Sequence, residues 1–157
     1  MHNRREMLSH STRVAAMLAT LGLLPQLASA ADASDWNKAA FDTKEMDALM
    51  KSLGVKSKPV ESKDVTVTGP DIAENGAVVP VGASTTKAGV KRLLILVEKN
   101  PAMLAAMFDI TDMMEPSVST RVKMGQSSDV YAVALMEDGS ALYAQKEIKV
   151  TLGGCGG

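Results

Sequence analysis

The stretch Lys91-Arg92-Leu93-Leu94-Ile95-Leu96-Val97-Glu98 decides the fold. Its five central residues show no polar alternation, so it reads as a strand buried on both faces, with cover required on each side. Working outward, the signals between Lys56 and Leu152 are period-two runs bounded by turn residues. The expected strands are Val65 to Thr68, Val78 to Val81, Lys91 to Glu98, Met103 to Ile110, Val118 to Met124, Val130 to Met136, Leu142 to Glu147 and Ile148 to Leu152, the last two possibly one bent strand. Asp138-Gly139 between apolar alternations is a strong hairpin signal, since both positions tolerate positive φ. Asn75-Gly76 is a weaker one. Pro80 has no N–H to give a ladder, which predicts an edge strand or a bulge there. About seven short strands with turns at such spacing predict a mainly β fold, an immunoglobulin-like antiparallel β-sandwich.

On the N-terminal side, Trp36, Ala39, Ala40, Met46, Leu49, Met50 and Leu53 fall on one arc at helical spacing, and Gly54 supplies a stop. This predicts an N-terminal amphipathic helix, or two short ones. Asp42 followed by Glu45 favours a break near Phe41. The apolar stripe packs either on the chain's own sheet or on another chain.

Further out, Arg4 and Arg5 precede an apolar run from Val14 to Leu24, and Ala28-Ser29-Ala30 has the small-residue pattern of a cleavage site. Residues 1–30 therefore read as an export signal, and the paired arginines with Met7 and Leu8 resemble the twin-arginine type. A Sec signal with two arginines leads to the same compartment. The run is about half of the roughly 18 apolar residues that a permanent span needs, so no membrane anchor is expected. The expected divisions are the signal 1–30, a helical segment 31–55, the sandwich 56–152 and a C-terminal arm 153–157.

Cleavage takes three of the 17 basic and one of the 18 acidic residues, leaving 14 against 17 and a net charge of about −3. It also removes His2 and His10, the two histidines of the chain. Without imidazole, and with no carboxylate or metal constellation in view, an enzyme with its own active site is the least expected class. The absence of a basic stripe and 3% aromatic content argue against nucleic-acid binding.

The single cysteine lies in Gly153-Gly154-Cys155-Gly156-Gly157, directly after the alternating Ile148, Val150 and Leu152. The four glycines bury no apolar area to offset their conformational entropy, so this segment is expected to be a flexible arm. At about 3.3–3.6 Å per extended residue, Cys155 reaches on the order of 10 Å beyond the last strand. A backbone without β-carbons can enter a narrow channel, and no neighbouring base activates the thiol. That is the geometry of a carrier. An intermolecular disulfide is the competing use of such a cysteine.

The pentapeptide, the strand Lys146-Glu147-Ile148-Lys149-Val150-Thr151-Leu152, the segment Ala73-Glu74-Asn75-Gly76-Ala77-Val78-Val79-Pro80-Val81 and Glu98-Lys99-Asn100-Pro101 together resemble the SoxY family, carrier subunits of the periplasmic Sox sulfur-oxidation system. The resemblance implies a periplasmic protein paired with a second immunoglobulin-like subunit, SoxZ. It implies that Cys155 is loaded with thiosulfate by the cytochrome SoxAX, and that the loaded arm visits the sulfate-releasing enzyme SoxB and, where present, SoxCD. Carried onto this chain, Cys155 is the attachment point and Gly153, Gly154, Gly156 and Gly157 form the arm, with no resident cofactor, catalytic residue or metal.

Two other classes stay open: a non-covalent binding or assembly module of sandwich fold, and a sulfur carrier that uses a C-terminal Gly-Gly thiocarboxylate. Met103, Met107, Met113 and Met114 invite a copper(I) reading, but methionines at alternating strand positions usually fill a core. Asp109, Asp112 and Glu115 lack the spacing of an oxygen-ligand loop. Lys91-Arg92 and Arg121 with Lys123 read as exposed strand faces.

Overall fold

A computed structural model describes residues 38–153. Residues 1–30, expected to be an export signal, Trp36 and residues 154–157 of the expected arm lie outside the described residues. Helix α1 spans Lys38–Phe41 and α2 spans Met46–Ser52. Nine strands follow: β1 (Val60–Glu61), β2 (Val65–Thr68), β3 (Ile72–Asn75), β4 (Val79–Thr85), β5 (Val90–Val97), β6 (Leu104–Asp109), β7 (Ser117–Val122), β8 (Ser128–Met136) and β9 (Ala141–Leu152). One sheet has the order β1-β9-β8-β5-β6 with β3 also on β9, and the other has the order β2-β4-β7.

The stretch that decides the fold does what its composition requires. In β5, Leu93, Ile95 and Val97 face the other sheet, among Val65, Val79, Val81, Met124, Val130 and Ile148. Leu94 and Leu96 face the opposite way, against Ala40, Leu49, Met50, Met103 and Val133. All five are fully buried. Apolar surface removed from water stabilises by about 25 cal/mol per Å², so a strand dry on both faces contributes to both cores at once. Ala40, Met46, Leu49, Met50 and Leu53 of the helical stripe therefore pack on the chain's own sheet, and a three-layer arrangement results.

The helix break at residues 42–45 matches the expectation. Its cap does not, because Glu45 holds the N-cap position of α2 with no side-chain cap bond. The far end closes as a Schellman motif, with Gly54 at φ +78°. Its N–H donates to the Lys51 carbonyl and that of Val55 to the Met50 carbonyl.

Residues 141–152 form one continuous strand, the alternative the sequence allowed for its last two segments. Three details depart from the sequence reading. The β8–β9 hairpin forms at Asp138-Gly139, but only Gly139 has positive φ, at +86°. Gly139 N–H donates to Met136 O and Met136 N–H to Ser140 O, the pattern of a type I turn closed by a left-handed glycine. Pro80 lies in a strand that is central in its sheet and carries no bulge there, although the position itself has a neighbour on one side only. The ladder from β2 ends at Thr68 opposite Gly82, so at Pro80 the strand has β7 as its only neighbour and no donor is missed. Finally, Asn75-Gly76 is not a hairpin. It carries the chain from β3, on the edge of the larger sheet, to β4 in the smaller one. The short strands β1 and β3 had no sequence signal, and both pair parallel with β9 in an otherwise antiparallel fold.

Candidate functional site

The last strand changes neighbours along its length. From Ala141 to Ile148 it pairs with β8. Beyond Ile148 the ladder to β8 has run out, and β3 takes over on the other side, with Ile72 opposite Lys149, Ala73 opposite Val150 and Asn75 opposite Leu152. Where β8 ends, a side chain supplies the missing partner: Val150 N–H donates to Ser127 Oγ at 2.9 Å. Thr151 Oγ1 donates to Glu74 O at 2.9 Å.

The end of the strand is held from three directions. Gly76 N–H donates to the Leu152 carbonyl at 2.7 Å, and Met124 N–H donates to the Gly76 carbonyl, also at 2.7 Å. Asn100 fixes the neighbouring loop with both ends of its amide. Its Nδ2 donates to Lys123 O at 2.7 Å, and its Oδ1 accepts from Gly125 N–H at 3.3 Å. Gly153 then lies against this loop so closely that a β-carbon would stand 2.3 Å from the Gly125 carbonyl oxygen. Contacts that short do not occur, so the first residue of the arm has to be glycine for room, quite apart from its freedom of rotation. The other predicted arm residues, Gly154, Cys155, Gly156 and Gly157, lie outside the described residues.

The segments that carried the resemblance therefore converge. Glu74, Asn75, Gly76 and Asn100 are distant in sequence from Gly153 and meet at the root of the arm. Sequence reading did not see this role, because a side-chain amide bonded to two backbone groups leaves no periodic trace. A polar Asn-Gly pair at a crossover also has the same composition as a hairpin turn.

Nearby, Lys146 Nζ lies 2.9 Å from Asp71 Oδ1, and this hydrogen bond with its charge holds the Asp71 carboxyl below its ordinary value. On the helix side, Tyr131 and Tyr143 meet with ring centres 5.9 Å apart. Partial burial, aided by Glu98 and Asp129, pushes the Tyr131 hydroxyl above its ordinary value.

The other sequence candidates disperse. Met103 is buried in the helix-side core with Met107 packed beside it. Met113 and Met114 stand exposed in the β6–β7 loop. Asp109 pairs with Arg92. Among the described residues, no three His, Cys, Asp or Glu side chains gather in metal-binding range, and no helix is long and apolar enough to cross a membrane.

Comparison with known proteins now bears on this site. The profile of the family described as "Sulfur oxidation protein SoxY" matches residues 50–155, from α2 through the cysteine. Among solved structures, the sulfur carrier protein SoxY from Chlorobium limicola f thiosulfatophilum is 33% identical, with a TM-score of 0.57, over 65% of this chain and 93% of that one. A superoxide reductase (neelaredoxin) from Ignicoccus hospitalis is 21% identical with a TM-score of 0.47, over 55% of this chain and 79% of that one. Fibronectin(III)-like modules of Clostridium thermocellum CbhA are 17% identical with a TM-score of 0.42, over 55% and 93%. No curated protein matches the chain. With a profile match that takes in the whole sandwich and runs on to Cys155, the chain belongs to the SoxY family of sulfur-oxidation proteins.

Proposed function

We propose that this chain is a periplasmic covalent carrier of sulfur intermediates in thiosulfate oxidation, and that Cys155 is the attachment point. One observation supports this most: the chain's single cysteine comes three residues after a strand end that is paired with β3 and tied to Gly76, in a sequence with no other side chains.

In the proposed cycle the thiol is joined oxidatively to the outer sulfur of thiosulfate. The S–H proton is released, an S–S bond forms, and two electrons pass to a c-type cytochrome, the SoxAX partner. Hydrolysis of the S–SO₃ bond by water, on SoxB, then releases sulfate and one proton and leaves a persulfide, –S–SH, on Cys155. The remaining sulfane sulfur is oxidised by SoxCD where that enzyme is present. The chain supplies no catalytic group of its own in this reading, holds no cofactor, and works as one half of a pair with SoxZ. Export through the twin-arginine route, which passes folded proteins, gives a signal-less partner a way out in complex with this chain. Deleting residues 1–30 is then expected to leave both subunits in the cytoplasm.

The test is the intact mass of the mature chain recovered from cells growing on thiosulfate, with and without reductant, beside Cys155→Ser. Reductant-sensitive sulfane or thiosulfonate increments on the wild type, absent from the variant, are expected. An unmodified thiol under turnover favours the non-covalent module, and increments that survive Cys155→Ser favour a carboxylate carrier; either result overturns the proposal.

A further inference from the structure

Asn75-Gly76 links β3 to β4 at the root of the arm, and the pair is reactive in its own right. An asparagine side chain can be attacked by the backbone nitrogen of the residue that follows it. The new N–C bond closes a cyclic imide, the bond to the side-chain NH₂ breaks, and ammonia leaves with the proton of the attacking N–H. Water then opens the ring to aspartate or, at the other carbonyl, to isoaspartate. A following glycine leaves the approach open because it has no β-carbon. The chain has four asparagines, Asn3, Asn37, Asn75 and Asn100. Asn3 belongs to the expected signal, Asn37 precedes Lys38, whose β-carbon crowds the attack, and Asn100 precedes Pro101, which has no N–H to give. Asn75 is the asparagine that precedes a glycine.

The structure prepares one half of this reaction and blocks the other. Asn75 is exposed at the end of β3, and its Oδ1 accepts the Ala77 N–H at 2.8 Å. A backbone donor on that oxygen draws charge from the side-chain carbon and stabilises the oxyanion formed on attack. The attacking nitrogen, in contrast, is held. Gly76 is buried, its N–H donates to the Leu152 carbonyl at 2.7 Å, and its own carbonyl accepts the Met124 N–H at 2.7 Å. Gly76 can neither give its proton to water nor turn toward the Asn75 side chain without losing these bonds. The carbonyl that guards the nitrogen belongs to the last residue of β9.

We propose that Asn75 is a deamidation site kept closed by the end of β9, so that the imide forms only when Leu152 leaves Gly76. Aspartate at this position keeps the length of the chain and an acceptor for the Ala77 N–H. Isoaspartate adds one carbon to the backbone ahead of Gly76, which moves Gly76 out of line with Leu152 and Met124. A root that has opened and reacted in this way does not close again in the same register. The strand end therefore protects the covalent integrity of the segment that positions the arm. None of this needs sulfur chemistry at Cys155, so it stands or falls apart from the carrier reading.

The full mature chain is incubated in neutral buffer beside Gly153→Ala, whose β-carbon drives the strand end off its loop, and a chain ending at Thr151, which lacks the Leu152 carbonyl. A free peptide of residues 72–79 gives the unprotected rate. Deamidation is read as the mass gain of amide to acid in the fragment that holds Asn75, a change that isomerisation at Asp138-Gly139 does not produce. The wild type is expected to react about a hundred-fold more slowly than the peptide, as a site that reacts only from a locally opened state does. Gly153→Ala should raise the rate about ten-fold, by the same factor as exchange of the Gly76 amide, with little change in the unfolding midpoint. The chain ending at Thr151 should react at least as fast as Gly153→Ala.

A wild-type rate equal to that of the peptide overturns the proposal, and so does a wild-type rate in the chain ending at Thr151. Gly153→Ala that exchanges its Gly76 amide faster but deamidates no faster also overturns it. Acceleration matched by an equal loss of global stability does the same, because unfolding of the whole domain then opens the site.

Discussion

β5 and the last turn of β9 belong to one sheet and are built on opposite plans. β5 is apolar on both faces and walled by the second sheet on one side and the helices on the other. The end of β9 faces solvent, with Leu152 exposed, and is held by backbone and side-chain hydrogen bonds to three separate segments. Burial holds a strand strongly but only where both sides are covered. Hydrogen bonds to fixed loops hold a strand end at the surface, where something has to leave the domain. The difference separates the strand that holds the two sheets and the helices together from the strand end that leads toward Cys155.

Substitutions break this comparison in order of size. The largest stability effect is expected at the centre: Ile95→Ala should destabilise folding by about 2–5 kcal/mol, as large-to-small core changes do. Urea unfolding measures it, and reaction of Cys155 with a small disulfide in the still-folded protein should not change. Gly153→Ala is next and of a different kind. A β-carbon placed 2.3 Å from the Gly125 oxygen forces the strand end off its loop. Hydrogen exchange at the Gly76 amide should quicken about ten-fold while the global unfolding midpoint moves little. Asn100→Ala removes two hydrogen bonds from the loop and should cost about 1 kcal/mol, with faster exchange at Gly125. An Asn100→Ala protein with Gly125 exchange at wild-type rates would show that the loop holds its place without the amide.

How much of this was legible in advance follows the same division. The central strand was readable because full burial needs an unbroken apolar run, and Leu93 to Val97 is one. The Asp138-Gly139 turn was readable because turn residues act on their own backbone, as the Ser140 N–H to Asp138 Oδ1 bond does, whereas the helix break falls where expected without the cap that suggested it. β3 was not, since Ile72-Ala73-Glu74-Asn75 buries Ala73 alone and is a strand only because β9 offers an edge to pair with. The central place of Pro80 depends on where β2 stops, which no local residue records. Cys155 stood out by its glycine neighbours, whereas Asn100 and Gly125, which fix its point of departure, became visible only when three distant segments were seen together.

The smallest expected effect is on pH dependence, and it falls on the sheet's helix-covered face. The Tyr131 hydroxyl is raised above its ordinary value chiefly by burial. Its neutral form is the one the fold favours, so this contribution is complete below the unfolded value near 10 and is lost as pH rises through the folded one. Alkaline unfolding should begin at higher pH in Tyr131→Phe, and absorbance at the tyrosinate band should lose its latest-titrating component. Asp71 runs the other way. Its lowered value gives a contribution that is present at neutral pH and disappears below about pH 4, and Lys146→Met should remove it.

The parallel pairing of β3 with the end of β9 has a mechanical consequence. A tug on the arm along the strand direction loads the ladders to β8 and β3 in shear, so that neighbouring bonds share the force instead of opening one after another as they would when peeled. An enzyme that grips the glycine segment can therefore pull against the domain without unravelling it. In a single-molecule experiment with the handle attached at Cys155, the sandwich is expected to hold until it ruptures in one step.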